Sequence, residues 1–231
     1  ATSAYLPWGI FFVLRMKIDR RAHWAMALAG CLGLSVLAGH GQMALVVGVA
    51  VTLGGLWALC TLFREDPRAA LRLALLLALA LGITCGLTAM AVLPAIEMTQ
   101  HTQRSGFSYE AASRYSLPPI GLTGMLSPLL FGRGARGFWP AWDRVELGYA
   151  GIVTLFLAGL AVGHSRTRRF AYVLGSLGLL VALGKHTPLH RWLYEHAPGF
   201  GYLRVPARFI LLTDFALAYL AGIGLQDWSR G

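Results

Sequence analysis

The residues able to do chemistry gather in a few short stretches. Gly39-His40-Gly41-Gln42 joins two apolar runs, so His40 and Gln42 would stand on rigid helix ends. That stretch reads either as a tight hairpin, where glycine stops one helix and polar groups cap the next, or as the edge of a site. Leu93-Pro94-Ala95-Ile96-Glu97 closes a later run, followed by Arg104-Ser105-Gly106-Phe107-Ser108-Tyr109-Glu110. Glu97 is either a solvated carboxylate or, beside an apolar wall, an acid or base. Between Gly137 and Gly151 stand Trp139, Trp142, Asp143, Glu146 and Tyr149. Amphipathic rings are expected at any membrane interface. Rings beside carboxylates also suit a sugar, which offers apolar C–H faces and hydroxyls. Pro198 to Phe209 carries Arg204 and Arg208 just outside an apolar run. These arginines would touch lipid headgroups or clamp a phosphate, which the planar guanidinium fork fits. Asp214 lies within that run, roughly 9 Å along a helix. An ionisable group at that depth is a functional candidate by default, with snorkelling or pairing to an arginine as the alternative.

The elements that must hold these groups follow from composition. Of 231 residues, 56% are hydrophobic and 13% charged, against roughly 25% charged in soluble domains. Mean hydropathy is +0.59. So few charges exclude a soluble enzyme, and so much apolar residue excludes a disordered chain. Apolar runs cover about 5–14, 24–38, 43–63, 73–93, 148–163, 170–184 and 209–225. The expected fold is all-α, a polytopic transmembrane helix bundle forming one domain over 1–231, with long outer loops that carry interfacial helices. The run 5–14 is short of the about 20 residues a span needs. With Ala1 at the start, the chain reads as a segment of a longer protein, and the segment alone is expected to be inactive.

The net charge of +10 comes from 20 Lys+Arg and 10 Asp+Glu. The basic residues cluster at Arg15, Lys17, Arg20 and Arg21, at Arg64, Arg68 and Arg72, and at Arg166, Arg168 and Arg169. Positive-inside places these connections, with Arg230, in the cytoplasm beside anionic lipid. Nucleic acid is not an expected partner, because no contiguous basic face is present. The segments near 94–147 and 185–208 then share the outer face. Within the first, Leu117 to Phe131 is apolar enough to lie in the interface or re-enter the membrane. Within the second, Leu189, Trp192 and Leu193 share a helical face, which reads as an interfacial helix. Cys31, Cys60 and Cys85 lie inside apolar runs without metal-ligand spacing. No metal site and no cofactor is expected, and nothing supports a divalent metal.

Taken in order, Gly39-His40-Gly41-Gln42, Pro94 with Glu97, Arg104 through Glu110, Ser116-Leu117-Pro118-Pro119, Glu146-Leu147-Gly148-Tyr149-Ala150-Gly151, Leu183 through Leu189 and Pro198 through Phe209 resemble the YfhO-like family of bacterial membrane proteins. The ordered set runs along nearly the whole chain. That family is similar to the GT-C membrane glycosyltransferases. The resemblance implies a partial GT-C-like fold in the bacterial cytoplasmic (inner) membrane. It also implies a polyprenyl-phosphate sugar donor, a cell-envelope acceptor and membrane lipids as partners. Two departures stand out. Gly41 replaces the proline of the family's usual Gly-His-Pro-Gln hairpin. The catalytic acid of GT-C enzymes usually sits on a first outer loop that precedes everything here, so the resemblance places no catalytic residue in this chain. Asp214 matches no motif of the family.

The expected function is therefore transfer of a lipid-linked sugar at the outer face. A carboxylate would deprotonate the acceptor, help worth roughly 10²–10⁴ in rate. The candidates are Glu97, Glu110 and Glu146. Arg204 and Arg208 would hold the leaving phosphate, with His40, Gln42, Arg104 and Tyr109 completing the site. The alternatives are a transporter or flippase of a lipid-linked or anionic substrate, which would need polar groups near the midplane, and a non-catalytic partner in envelope glycan assembly.

Overall fold

The structure, a computed structural model, describes residues 2–100, 107–128, 148–197 and 199–230. Every regular element among the described residues is helical. Contacts divide the stretch read above as one transmembrane domain into two compact units, Ala1–Ser105 and Gly106–Gly231.

The first unit holds α1 (Tyr5–Asp19), α2 (Ala22–Leu37), α3 (Gly41–Phe63) and α4 (Pro67–Gln100), packed against one another. Leu6, Ile10, Val13 and Met16 are buried along α1, at the spacing of a single helix face. The buried face of α3 is made of small and β-branched residues, among them Val46, Val47, Ala50, Val51, Gly54 and Gly55. A Cβ added at Gly9 would lie 2.5 Å from Val51 Cγ2, so α1 and α3 approach as closely as their side chains permit. Small residues allow such approach where lipid supplies no hydrophobic drive between helices. Thr84 of α4 donates to Ala80 O at 2.8 Å and reaches Ala29 O of α2 at 3.5 Å. At one end, Lys17 Nζ donates to Thr61 Oγ1 at 2.8 Å and Arg20 lies 3.9 Å from Asp66. The two basic connections of this unit therefore meet. At the other end Gly39, with φ +81, closes α2.

The second unit holds α5 (Tyr109–Ser113), α6 (Ile152–Leu160), α7 (Arg166–Ala182), α8 (Pro188–His196) and α9 (Ile210–Trp228). Short 3-10 helices cover Pro119–Met125, Gly184–His186, Phe200–Tyr202 and Pro206–Phe209. Helix α9 is central and packs on both α6 and α7. Ala158, Ala161, Ala171, Ala216, Leu220 and Ala221 form the buried seam. Glycines bring backbones together there. A Cβ at Gly178 would meet Leu212 Cβ at 2.6 Å and Phe209 O at 2.9 Å, and one at Gly224 would overlap Leu157 O. Thr213 Oγ1 ties α9 to α7 by donating to Gly175 O at 2.9 Å. At the basic end of this unit, Arg168 pairs with Asp227.

Three helices are long and apolar enough to cross a membrane, Gly41–Phe63, Pro67–Met98 and Pro206–Trp228, and Ala22–Leu37 is a shorter apolar helix. These fit the expected runs 43–63, 73–93, 209–225 and 24–38. The run 148–163 differs. Its helix α6 has 9 residues, about 14 Å at 1.5 Å per residue. Gly148 and Gly151 have φ +67 and +93, a backbone that L side chains avoid, and this holds the first part of the run out of the helix. The run 170–184 forms α7, whose first turn carries Arg166, Arg168 and Arg169.

Candidate functional site

The second unit gathers several motif segments that are far apart in sequence. Their meeting point is fastened by backbone and by one serine. Leu117 N–H donates to Ala182 O at 2.9 Å, Ala207 N–H to Tyr115 O at 3.3 Å and Phe107 N–H to Gly201 O at 3.3 Å. Ser116, 5% exposed, donates through Oγ to Ser113 O at 2.6 Å and accepts from Lys185 N–H at 2.9 Å. The Ser116-Leu117-Pro118-Pro119 stretch is thus a clasp onto the turn that follows α7. Leu117 is fully buried, and the 3-10 helix Pro119–Met125 follows it.

Aromatic rings fill the space behind this clasp. Tyr109 lies 5.7 Å from His190 and 5.4 Å from Tyr194, and His190 lies 5.4 Å from Phe200, centroid to centroid. Tyr194 Oη donates to Phe107 O at 2.6 Å. One guanidinium group lies on a ring of this cluster and another on two rings beside it. Arg204 sits over Phe107 at 5.6 Å and over Tyr115 at 5.9 Å, and Arg191 over Tyr109 at 5.5 Å. Stacking of this kind holds a cation at a fixed tilt and leaves its edge donors free to bind an anion. Arg191 is also held by Glu195 at 2.9 Å, and that bond and charge raise its affinity for a proton.

The sequence candidates fall as follows. Tyr109 and Glu110 open α5, where Ser108 Oγ accepts from Ala111 N–H at 3.3 Å. Tyr109 points into the ring cluster and Glu110 is exposed. Arg204 is exposed over its two rings, and half-buried Arg208 lies in the 3-10 turn Pro206–Phe209 that leads into α9. Tyr109, Arg204 and Arg208 therefore belong to one neighbourhood, built from α5, α8 and the head of α9. Asp214 is half-buried one turn further along α9, and its Oδ1 has no hydrogen-bond partner among the described residues. A Cβ at Gly148 would come within 3.2 Å of that oxygen.

The remaining candidates belong to the first unit or lie outside the described residues. His40 is the N-cap of α3, its Nδ1 accepting from Met43 N–H at 3.3 Å. That is the capping role of the hairpin reading. Gln42 follows in the first turn of α3, and Glu97 is exposed near the end of α4, beyond Pro94. Arg104 and Glu146 lie outside the described residues. Among the described residues no group of three or more His, Cys, Asp or Glu side chains could hold a metal ion.

Sequence reasoning missed His190. It expects Leu189, Trp192 and Leu193 to form the apolar face of α8. Trp192 of that face is 56% exposed, as an interfacial face would be, while His190 on the other side of the helix is 2% exposed. The inward face is His190, Leu193 and Tyr194, which also has helical spacing. Burial lowers the proton affinity of His190. Compared with protein-family models, curated proteins and solved structures, the chain matches none.

Proposed function

We propose that this protein is a membrane glycosyltransferase-like protein that uses a polyprenyl-phosphate-linked sugar at the outer face of the membrane. The observation that carries the reading is Arg204, stacked on Phe107 and Tyr115 and followed by Arg208 at the head of α9. Helix α9 and the turn before it form a segment long and apolar enough to span a membrane. A phosphate at that level would have a lipid tail running beside α9 and two guanidinium groups at its head. Arginine donors would offset the charge that develops as polyprenyl phosphate leaves. The half-buried rings of Tyr109 and Tyr194, set edge to face, would offer apolar contacts to a sugar. The YfhO-like resemblance of the sequence motifs supports the same reading.

The test uses the complete protein in proteoliposomes with a panel of labelled polyprenyl-phosphate sugars, and follows release of polyprenyl phosphate. Release that falls at least about tenfold in Arg204→Ala and Arg208→Ala, equivalent to about 1.4 kcal/mol of transition-state binding, is the expected result. Release that is unchanged in both variants would refute the clamp.

Asp214 favours a second reading. Its unpartnered Oδ1 lies within a candidate span, as a transporter or flippase requires of a group on its path. Substrate movement across the vesicle membrane without sugar release, lost in Asp214→Asn, would replace the first reading with this one.

A further inference from the structure

His190 is the most deeply enclosed titratable group of the ring cluster. It is 2% exposed, its Nδ1 has no hydrogen-bond partner among the described residues, and its ring stands between Tyr109 of α5 and Phe200. We propose that His190 is a pH-sensitive latch: as a neutral ring it holds α8 docked on α5 and the Phe200–Tyr202 turn, and on protonation it releases α8 together with the rings beside Arg204.

An imidazolium carries two N–H donors and a charge, and both need partners when buried. Among the described residues Nδ1 of His190 has no hydrogen-bond partner and no carboxylate contacts the ring. From α5 come Tyr109, a ring contact, and Glu110, which is exposed. On α8 itself Arg191 lies over Tyr109, Glu195 is taken by Arg191 at 2.9 Å, and His196 stacks on Trp192. Tyr194 Oη is spent on Phe107 O. The turn before α8 carries Lys185 and His186, both exposed, and the segments after it carry Tyr202, Arg204 and Arg208. The cations outnumber the carboxylates, and the carboxylate of α8 is already paired. Rotating α8 outward is the simplest way for His190 to reach water. The helix suits such motion: it is nine residues long, bears exposed Trp192, and is bounded by Thr187 and Gly199.

The sign follows from burial. The docked ring has a lowered affinity for protons relative to its ordinary value near 6.5, so the undocked state binds more of them. Docking is fully favoured above about pH 6.5 and weakens as pH falls below it, by up to about tenfold in the equilibrium per pH unit. Loss of the ring cluster would also loosen Arg204, since Phe107 is bonded to Tyr194 of α8. That consequence for phosphate binding rests on the reading of the preceding section, whereas the latch is read out without any substrate.

The test is amide hydrogen exchange of residues 188–196 in the complete protein in micelles at about pH 7.5 and about pH 5.5, corrected for the intrinsic pH dependence of exchange. Protection of α8 is expected to fall, by up to about tenfold, in the wild-type protein, to stay constant in His190→Phe, and to stay constant in α9 of both. Equal protection of α8 at the two pH values in the wild-type protein would overturn the proposal. So would an equal loss in His190→Phe, which would assign the effect to Glu195, His186 or His196. Should His190→Phe not fold, the imidazole resonances of isotope-labelled wild-type protein decide. Titration of His190 at or above about pH 6.5 overturns the latch, and titration below it supports it. Failure of any of these leaves the sugar-release assay untouched.

Discussion

Gly222 and Gly224 lie two residues apart on α9, and the structure gives them opposite responses to the same added methyl group. At Gly222 no heavy atom lies within 4 Å of an added Cβ. Alanine there gains helix propensity, about 0.8–1.0 kcal/mol, with nothing against it. At Gly224 the methyl would overlap Leu157 O and lie 2.9 Å from Leu157 C and 3.2 Å from Ala161 N. All three atoms are backbone, so no rotamer change relieves the overlap, and α6 must move away from α9. Overpacking of this kind costs about 1–3 kcal/mol or more. Subtracting the propensity gain of about 1 kcal/mol leaves Gly224→Ala destabilised by up to about 2 kcal/mol. The two variants should therefore differ by about 1–3 kcal/mol, with Gly222→Ala the more stable. Equilibrium unfolding in mixed micelles, with both proteins compared to wild type, measures this directly. Equal stability of the pair would refute the close α6–α9 approach.

The Ser116 clasp and the Arg168–Asp227 pair yield two further expectations. Ser116→Ala removes the buried hydroxyl's bond to Ser113 O and the acceptor of the part-buried Lys185 N–H, which costs about 0.5–1.5 kcal/mol, and the same unfolding assay should show it. A loss under about 0.5 kcal/mol would mean that water replaces the hydroxyl there. Asp227 is 36% exposed and Arg168 17%, so solvent screening limits their coupling to about 0.5–1 kcal/mol. A double-mutant cycle with Arg168→Met and Asp227→Asn should find that coupling at low salt and lose most of it at about 1 M salt.

What was legible in the sequence, and what was not, divides along physical lines. Long apolar runs have one outcome in a chain with so few charges, so α3, α4 and α9 were readable from composition and length. The hairpin at Gly39-His40 was readable as well, because a glycine beside a capping side chain is a local signal. The extent of α6 was not, since Gly148 and Gly151 look like ordinary helix-packing glycines until their φ values are seen. His190 was hidden for a different reason. A wheel drawn from apolar residues picks out only the interfacial face, whereas the docking face is set by ring contacts of His190 with Phe200 and with the distant Tyr109. Ser116 carries no local mark either, because its worth lies in reaching Lys185, 69 residues away.

That separation has a consequence for how the protein is made. The segment from Phe107 to Leu117 leaves the ribosome long before the groups it needs. Tyr194, which bonds Phe107, follows 87 residues later. At elongation rates of about 5–20 residues per second, that interval is about 4–17 s. Until those groups emerge, Phe107 lacks the tyrosine that holds it in the folded protein, although Leu117 and Ser116 meet Ala182 and Lys185 somewhat sooner. The neighbourhood of Arg204 is therefore completed only once α8 and the head of α9 have been made, and a chain stalled before α8 would carry Tyr109 and Tyr115 without the arginines that gather beside them.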